Sequence, residues 1–421
     1  MRPFVLSSTL IAVLAACPML AGAEMITLEP GKYYSWLQLP MNAGITPSLG
    51  SESGVVGSTS GTSIDTFRYG GIWFPNRAMV GSPTYYNTQD QRLTGDDYWM
   101  VLTLDEARWI DYVGVGWTTG SQTKLDKYYI EAWDVTTEEW ITVGESGDDL
   151  GYNNSQRPGW RDGNLNNAVK LDLPGQYQTI RVLVKSGDYL SSSNDSNCGG
   201  PGIRVIEPMA ASTGETIRTI EIETNQINWA NAIFGTTATA SPAMLALPGG
   251  SNHRRGASWL IQGSLIEDEP AARTFGVWGS NTGANSEEHL IHTTPEGVKM
   301  WDSSVWVDIN LGQVRYIDEV VGVWVVDANR YGTDFRVQYS LDEGVTWCDV
   351  TGRDTAQYGG NRATSVMFDG IEAQYWRISE AVWGPGADCG INQILMYGAI
   401  PEPATMSLLA LGGLALLRRR K

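Results

Sequence analysis

The sequence predicts an all-β protein of two tandem antiparallel sandwiches or barrels, with a signal peptide in front and a short apolar helix behind. Three observations predict it. One unit occurs twice, at an offset of 207 residues. Its segments alternate apolar and polar residues with a period of two. Gly-rich turns separate those segments, and no stretch between the two termini sustains a helical period.

The repeat is read by placing 98–117 over 305–324, where Trp99 meets Trp306, Leu104 meets Leu311 and Arg108 meets Arg315. In the same stretch Ile110 and Asp111 meet Ile317 and Asp318, and Trp117 meets Trp324. The offset carries on into 127–143 over 334–350, where Trp140 meets Trp347. Further on, 180–184 answers 376–380, and Cys198 answers Cys389. The expected units are 24–210 and 215–400, with a join near 209–215.

Within the second unit Phe335, Val337 and Tyr339 alternate with Arg336, Gln338 and Ser340; Tyr128, Ile130 and Ala132 do the same in the first. The segment 340–347, with Gly344, reads as a hairpin turn between two strands. Trp99, Trp140, Trp306 and Trp347 fall inside strands at matched positions and are expected in the core. Trp117 and Trp324 close a strand, in the core or at its rim.

Both ends read as export signals. Arg2 precedes the apolar stretch 4–16, and Ala21-Gly22-Ala23 is a small-x-small cleavage site, so 1–23 is expected to be a secretory signal peptide. Leu14-Ala15-Ala16-Cys17 resembles the lipobox of bacterial lipoproteins; Pro18 and the site at Ala23 favour simple cleavage. At the other end, 404–417 is 14 residues without a charge. As a helix it would span about 21 Å, against a bilayer core of about 30 Å. The run is short for a permanent anchor, and Gly412 and Gly413 weaken it as a helix. Arg418, Arg419, Arg420 and Lys421 then fit a cytoplasmic stop.

The order Pro401-Glu402-Pro403, apolar helix, Arg-rich tail resembles the PEP-CTERM sorting signal of Gram-negative bacteria, covering 401–421. The resemblance implies an exosortase-type processing enzyme as partner. It also implies export to the outer envelope, cell surface or extracellular matrix, and a membrane contact by the C-terminal segment only, held transiently.

The formal net charge of −18 repels nucleic acid and anionic membrane surfaces, so neither is expected as a partner. Aromatic residues at 10 % and 17 tryptophans make the chain too apolar for disorder. Catalysis finds little support. His253, His289 and His292 are the only histidines, and His289 with His292 lacks a third ligand or a general base. No nucleophile elbow, P-loop or dinucleotide fingerprint follows a strand. Acidic pairs such as Asp96-Asp97, Asp148-Asp149 and Glu287-Glu288 suit an acidic surface.

The second unit resembles the discoidin, or coagulation factor 5/8 type C, family. The residues are Trp306 to Gly312 with Asp308 and Leu311, the strand and turn 335–347, Tyr375-Trp376-Arg377-Ile378 and the closing strand to Gly398. The resemblance covers 305–398 well and 98–207 loosely, since the first copy reads Leu104-Asp105 where Leu-Gly is usual. The segments 24–97 and 215–304 are longer than the family needs and match it poorly.

The resemblance implies a galactose-binding-like jelly-roll sandwich that binds ligands at the loops of one end. It also implies a structural calcium ion, for which no ligands are assigned. Loop residues suited to sugars are Trp73, Asn76, Arg77, Trp160 and Arg161 in the first copy, and Trp278, Asn281, Asn329, Arg330, Tyr331 and Trp383 in the second. Aromatic faces stack on the CH-rich faces of sugars, while Arg and Asn hydrogen-bond their hydroxyls. The expectation is an exported, non-catalytic protein binding carbohydrate or exopolysaccharide; the alternatives are a structural matrix component without a discrete ligand and a glycan-acting hydrolase. Export also places Cys348 and Cys389 in an oxidising compartment, where a bridge between them is expected and Cys198 is left odd.

Overall fold

The computed structural model describes residues 22–40, 43–52, 97–117, 124–147, 168–190, 203–214, 216–241, 260–261, 278–279, 291–324, 332–358, 363–383 and 390–398. The first half contributes β1 (Ala23–Leu28), β2 (Lys32–Ser35), β3 (Thr46–Ser51), β4 (Tyr98–Trp117), β5 (Lys124–Leu125), β6 (Tyr129–Asp134), β7 (Glu139–Glu145), β8 (Ala168–Val184), β9 (Tyr189–Leu190) and β10 (Ile203–Ser212). The second half contributes β11 (Arg218–Glu223), β12 (Thr237–Ala240), β13 (Trp278–Gly279), β14 (Ile291–Thr293), β15 (Lys299–Trp301), β16 (Trp306–Trp324), β17 (Gly332–Ser340), β18 (Cys348–Asp349), β19 (Asp354–Tyr358), β20 (Ala363–Trp383) and β21 (Gly390–Tyr397). The described residues are all-β apart from short 3-10 turns, and every pairing is antiparallel.

The same order of pairing occurs twice. In the first half β3–β4–β8–β6–β7 are neighbours and β10 adds to β4; in the second, β12–β16–β20–β17–β18 are neighbours and β21 adds to β16. The long strands change partners part-way. In β4 the register breaks between Thr103 and Arg108 and between Ile110 and Tyr112. In β16 it breaks at the residues 207 further on, between Asn310 and Arg315 and between Ile317 and Glu319. Gly312 makes the first of these β16 corners possible: its φ of 75° suits glycine, and a Cβ there would press on the Phe234 and Gly235 carbonyls. The chain thereby turns from one layer of a sandwich into the other, and the layers meet in contacts such as Trp324 against Phe335, edge-on at 5.9 Å.

Alternation sets the core. Val307, Ile309 and Leu311 point inward from β16, Phe335 and Val337 from β17, and Trp376 and Ile378 from β20. Leu102, Leu104, Ile130 and Ile180 do so in the first half. The segment 340–347 is the expected tight turn: Glu343 and Gly344 take positive φ, and the Asp342 carboxylate accepts from Thr346 N and Thr346 Oγ1. Those bonds hold the Asp342 carboxyl down at about 2.

The four repeat-matched tryptophans depart from expectation. Trp99, Trp140, Trp306 and Trp347 are only half-buried, on the outer faces of the sheets, whereas Trp324 is fully buried. Trp306 shares its parity along β16 with Asp308 and Asn310, and Val307 and Ile309 take the inner face.

The segments expected to match the family poorly join the halves. β1 pairs with β11, with Ile26 opposite Ile220. Their inner face, Ile26, Leu28, Ile220 and Ile222, is buried, while Met25 faces solvent. β3 lies on β4 as β12 lies on β16. Beside this ribbon runs a buried polar cluster that crosses between the halves. Gln38 Oε1 accepts from Asn228 Nδ2 at 3.1 Å and Asn231 Nδ2 at 2.8 Å. Tyr397 Oη donates to the Gln38 carbonyl at 2.7 Å, and Asn228 N donates to Tyr34 Oη at 3.3 Å. Arg218 of β11 reaches back to Asp111 of β4 at 2.8 Å, and Arg108 of β4 reaches Gln226 at 2.9 Å.

Two carboxyls in β16 sit poorly solvated. Burial pushes Glu319 and Asp318 up, and Asp318 pushes Glu319 further, against a 2.5 Å hydrogen bond from Ser365 Oγ. A carboxyl raised on folding binds more protons folded than unfolded, so its penalty sets in as pH rises from its unfolded value through the raised one. Glu319→Gln keeps an acceptor for Ser365. It is expected to be more stable than the parent at about pH 7 and to lose that advantage near about pH 4. Urea midpoints at the two pH values check it; a variant weaker at both would show that the carboxylate is needed charged.

Among the described residues no helix is long and apolar enough to cross a membrane. Residues 1–21 of the expected signal peptide 1–23 lie outside the described residues, and Ala23 opens β1; the expected tail 401–421, with Pro401, Glu402, Pro403 and the terminal arginines, also lies outside them.

Candidate functional site

The open face of the second sheet carries a built arrangement. Arg377 on β20 lies between two indoles, 4.2 Å from the Trp306 centroid and 4.2 Å from that of Trp347. Its Nε and Nη2 donate to Asp308 Oδ1 and Oδ2 at 2.6 and 2.8 Å. The strands dictate this. Asp308, Arg377, Gln338 and Asp349 are successive partners across β16, β20, β17 and β18 and share the outer face. A planar guanidinium satisfies the carboxylate in its plane and both rings on its faces, which an ammonium cannot do.

The first half repeats the arrangement. Arg181 lies 5.2 Å from the Trp99 centroid and 4.4 Å from that of Trp140, with Nε donating to Glu131 Oε2 at 2.5 Å. Here Trp133 extends the aromatic surface, edge-on to Trp140 at 5.4 Å and 36 % exposed. Ser340 stands at its place in the second half. Lys127, just before β6, and Lys185, just after β8, flank Tyr129 at 5.4 and 4.0 Å from the ring centroid.

Charge beside the second platform is paired. Arg336 donates to Asp349 at 2.6 and 2.8 Å and to Glu380 at 3.0 Å. The hydrogen bond from Arg336 holds the Asp349 carboxyl below its usual range, and Arg336 is itself pushed up, first of all by that bond. Glu380 sits in a bulge of β20 with φ of 47°, a conformation that favours glycine. The strain lies three residues before Trp383, whose backbone pairs with Gly332.

Of the expected ligand residues, Trp278 and Trp383 are placed by their backbones, Trp278 opposite Ile391 on β21 and Trp383 at the end of β20. Trp73, Asn76, Arg77, Trp160, Arg161, Asn281, Asn329, Arg330 and Tyr331 lie outside the described residues. Cys348 is exposed on β18 opposite Tyr339; Cys389 lies outside the described residues, so their bridge stands as an expectation. Among the described residues no group of three His, Cys, Asp or Glu side chains could hold a metal ion. The sequence reading missed the outward tryptophans with Arg181 and Arg377. The phase of Trp306 with Asp308 and Asn310 was the available signal.

The described strands thus form antiparallel sandwiches with aromatic platforms on their outer faces. The chain carries an F5/8 type C domain, matched over 278–392, and a PEP-CTERM protein-sorting motif, matched over 399–421. Retinoschisin of Homo sapiens is 32 % identical over 72 residues, 16 % of this chain; the chain spans about a third (32 %) of that relative's length. Among solved structures, the family 32 CBM from C. perfringens NanJ in complex with galactose is 16 % identical. It covers 39 % of this chain and 93 % of its own, with a TM-score of 0.24. Allantoicase from Saccharomyces cerevisiae is 12 % identical, covers 93 % of this chain and 98 % of its own, and has a TM-score of 0.26.

Proposed function

We propose that this is an exported, non-catalytic protein of the cell surface that binds carbohydrate of the envelope or its exopolysaccharide matrix through two tandem discoidin-like units, 24–210 and 215–400. One observation carries the reading: half-buried indoles stand in pairs on an open, polar sheet face, at the same place in both halves. Exposed aromatic faces amid fixed polar groups suit sugar rings. Asn329, Arg330, Tyr331 and Trp383, with Trp278 and Asn281, add ligand contacts in the second unit. Trp73, Asn76, Arg77, Trp160 and Arg161 do so in the first.

A structural matrix role without a discrete ligand is the second reading. It is favoured by the bidentate pairing of Arg377 with Asp308, which leaves that guanidinium little left to offer a ligand. A glycan array with the mature chain, read by tryptophan fluorescence, separates the two. Binding is expected, with Tyr331→Ala and Trp347→Ala each weakening it by roughly tenfold or more. Silence across the array, with self-association on concentration, would favour the matrix reading.

The sorting motif supports export and processing by an exosortase-type enzyme in a Gram-negative-type bacterium. Deleting 401–421 is expected to release the protein to the medium or strand it in the periplasm. Envelope localisation unchanged by the deletion, measured by cell fractionation, would remove the sorting role.

A further inference from the structure

The two platforms are not free to move relative to each other. β1 of the first half is hydrogen-bonded along its length to β11 of the second, from Ala23 opposite Glu223 to Leu28 opposite Arg218. The inner side chains of both strands belong to one core cluster that also holds Trp36 and Trp229. Gln38, Asn228 and Asn231 are buried and bonded to one another across the boundary. Tyr397 of β21 closes on the Gln38 and Leu39 carbonyls at 2.7 and 3.3 Å. Separating the halves breaks each of these cross-boundary bonds, and breaking buried polar bonds is strongly disfavoured. The polar bonds are directional, so they fix orientation as well as contact.

From this lock and the repeated platforms we infer that the chain is a rigid bivalent receptor whose ligand is a polymer with a repeating unit, spanning both halves at once. The inference rests on the carbohydrate reading above and adds to it the ligand class and the mode of binding. With the platforms held at one separation, the second contact on a single strand is intramolecular. Its effective concentration is set by the lock and not by diffusion. A short sugar fragment fills one platform and gains nothing from the other. A polymer whose repeat matches the spacing gains both, and the entropy of aligning the two sites has already been lost in folding.

The test uses the full mature chain with the exopolysaccharide of the producing cells, intact and hydrolysed to single repeating units. Calorimetry is expected to count two unit-binding sites per chain, with the intact polymer held at least roughly 100-fold more tightly than one unit. Trp140→Ala in the first half, or Trp347→Ala in the second, is expected to halve the unit stoichiometry and abolish the polymer gain. The surviving site should keep its affinity for units. Circular dichroism of each variant verifies that it is folded, and the two variants serve as independent copies of the test. Two unit sites with a polymer gain of only about threefold or less would overturn the bivalent inference and leave the carbohydrate reading standing. No binding of units or polymer would overturn both.

Discussion

Asn228→Ala is expected to destabilise the whole chain by about 3–5 kcal/mol, a large effect for one polar side chain. Asn228 is fully buried and bonds in three directions. Its Nδ2 donates to Gln38 Oε1 at 3.1 Å, which ties the second half to the first. Its Oδ1 accepts from Ala230 N at 3.1 Å and from Met396 N at 2.9 Å, which ties its own segment to β21. Alanine leaves both backbone donors buried without that acceptor, and each orphaned group costs about 1–3 kcal/mol. Gln38 keeps Asn231, so its loss is partial. Urea unfolding followed by tryptophan fluorescence measures the change. Because the cluster joins the halves, the transition is also expected to broaden or split as they come apart separately. A shift of under about 1 kcal/mol with an unchanged single transition would mean that the polar cluster contributes little to holding the halves together.

Gly332→Ala is expected to cost about 3 kcal/mol or more, for a steric reason. A Cβ at position 332 would fall inside the Trp324 indole. The ring cannot swing aside. Its Nε1–H donates to Thr364 Oγ1 at 2.7 Å, and that hydroxyl donates to the Gly332 carbonyl at 2.8 Å. Phe335 packs edge-on against it. Making room therefore breaks a buried hydrogen-bond chain or opens the core of the second sandwich. Thermal unfolding together with near-ultraviolet circular dichroism reads both losses. A melting temperature equal to the parent's would show that β17 shifts away from Trp324 at little cost. Gly332 also begins the strand that follows Tyr331 and pairs with Trp383, so the same variant is expected to weaken any ligand held by those loops.

Much of the architecture was legible along the chain. Parity along a strand is local, so the alternation in 335–340 announced β17, and Glu343-Gly344 announced the turn after it. The repeat was legible because equivalent residues in equivalent folds meet the same packing demands. The register breaks in β4 and β16 fall at the same residues of the two copies. The sorting motif was legible for another reason: a short linear address is recognised as sequence and needs no partner from the fold.

The site was less legible. Tryptophan at a matched strand position reads as core when hydrophobicity alone is weighed. What turned Trp306 and Trp347 outward is a partner, Arg377, which lies 71 and 30 residues away and contacts both rings across the sheet. The sequence by itself determined the strands, the turns and the sorting motif at the tail, since each follows from neighbours along the chain. Only the tertiary structure decided which face of each sheet is open, and that β1 belongs beside β11. Ile26 and Ile220 meet at a separation of 194 residues, and a contact of that range leaves no periodicity or spacing in either segment.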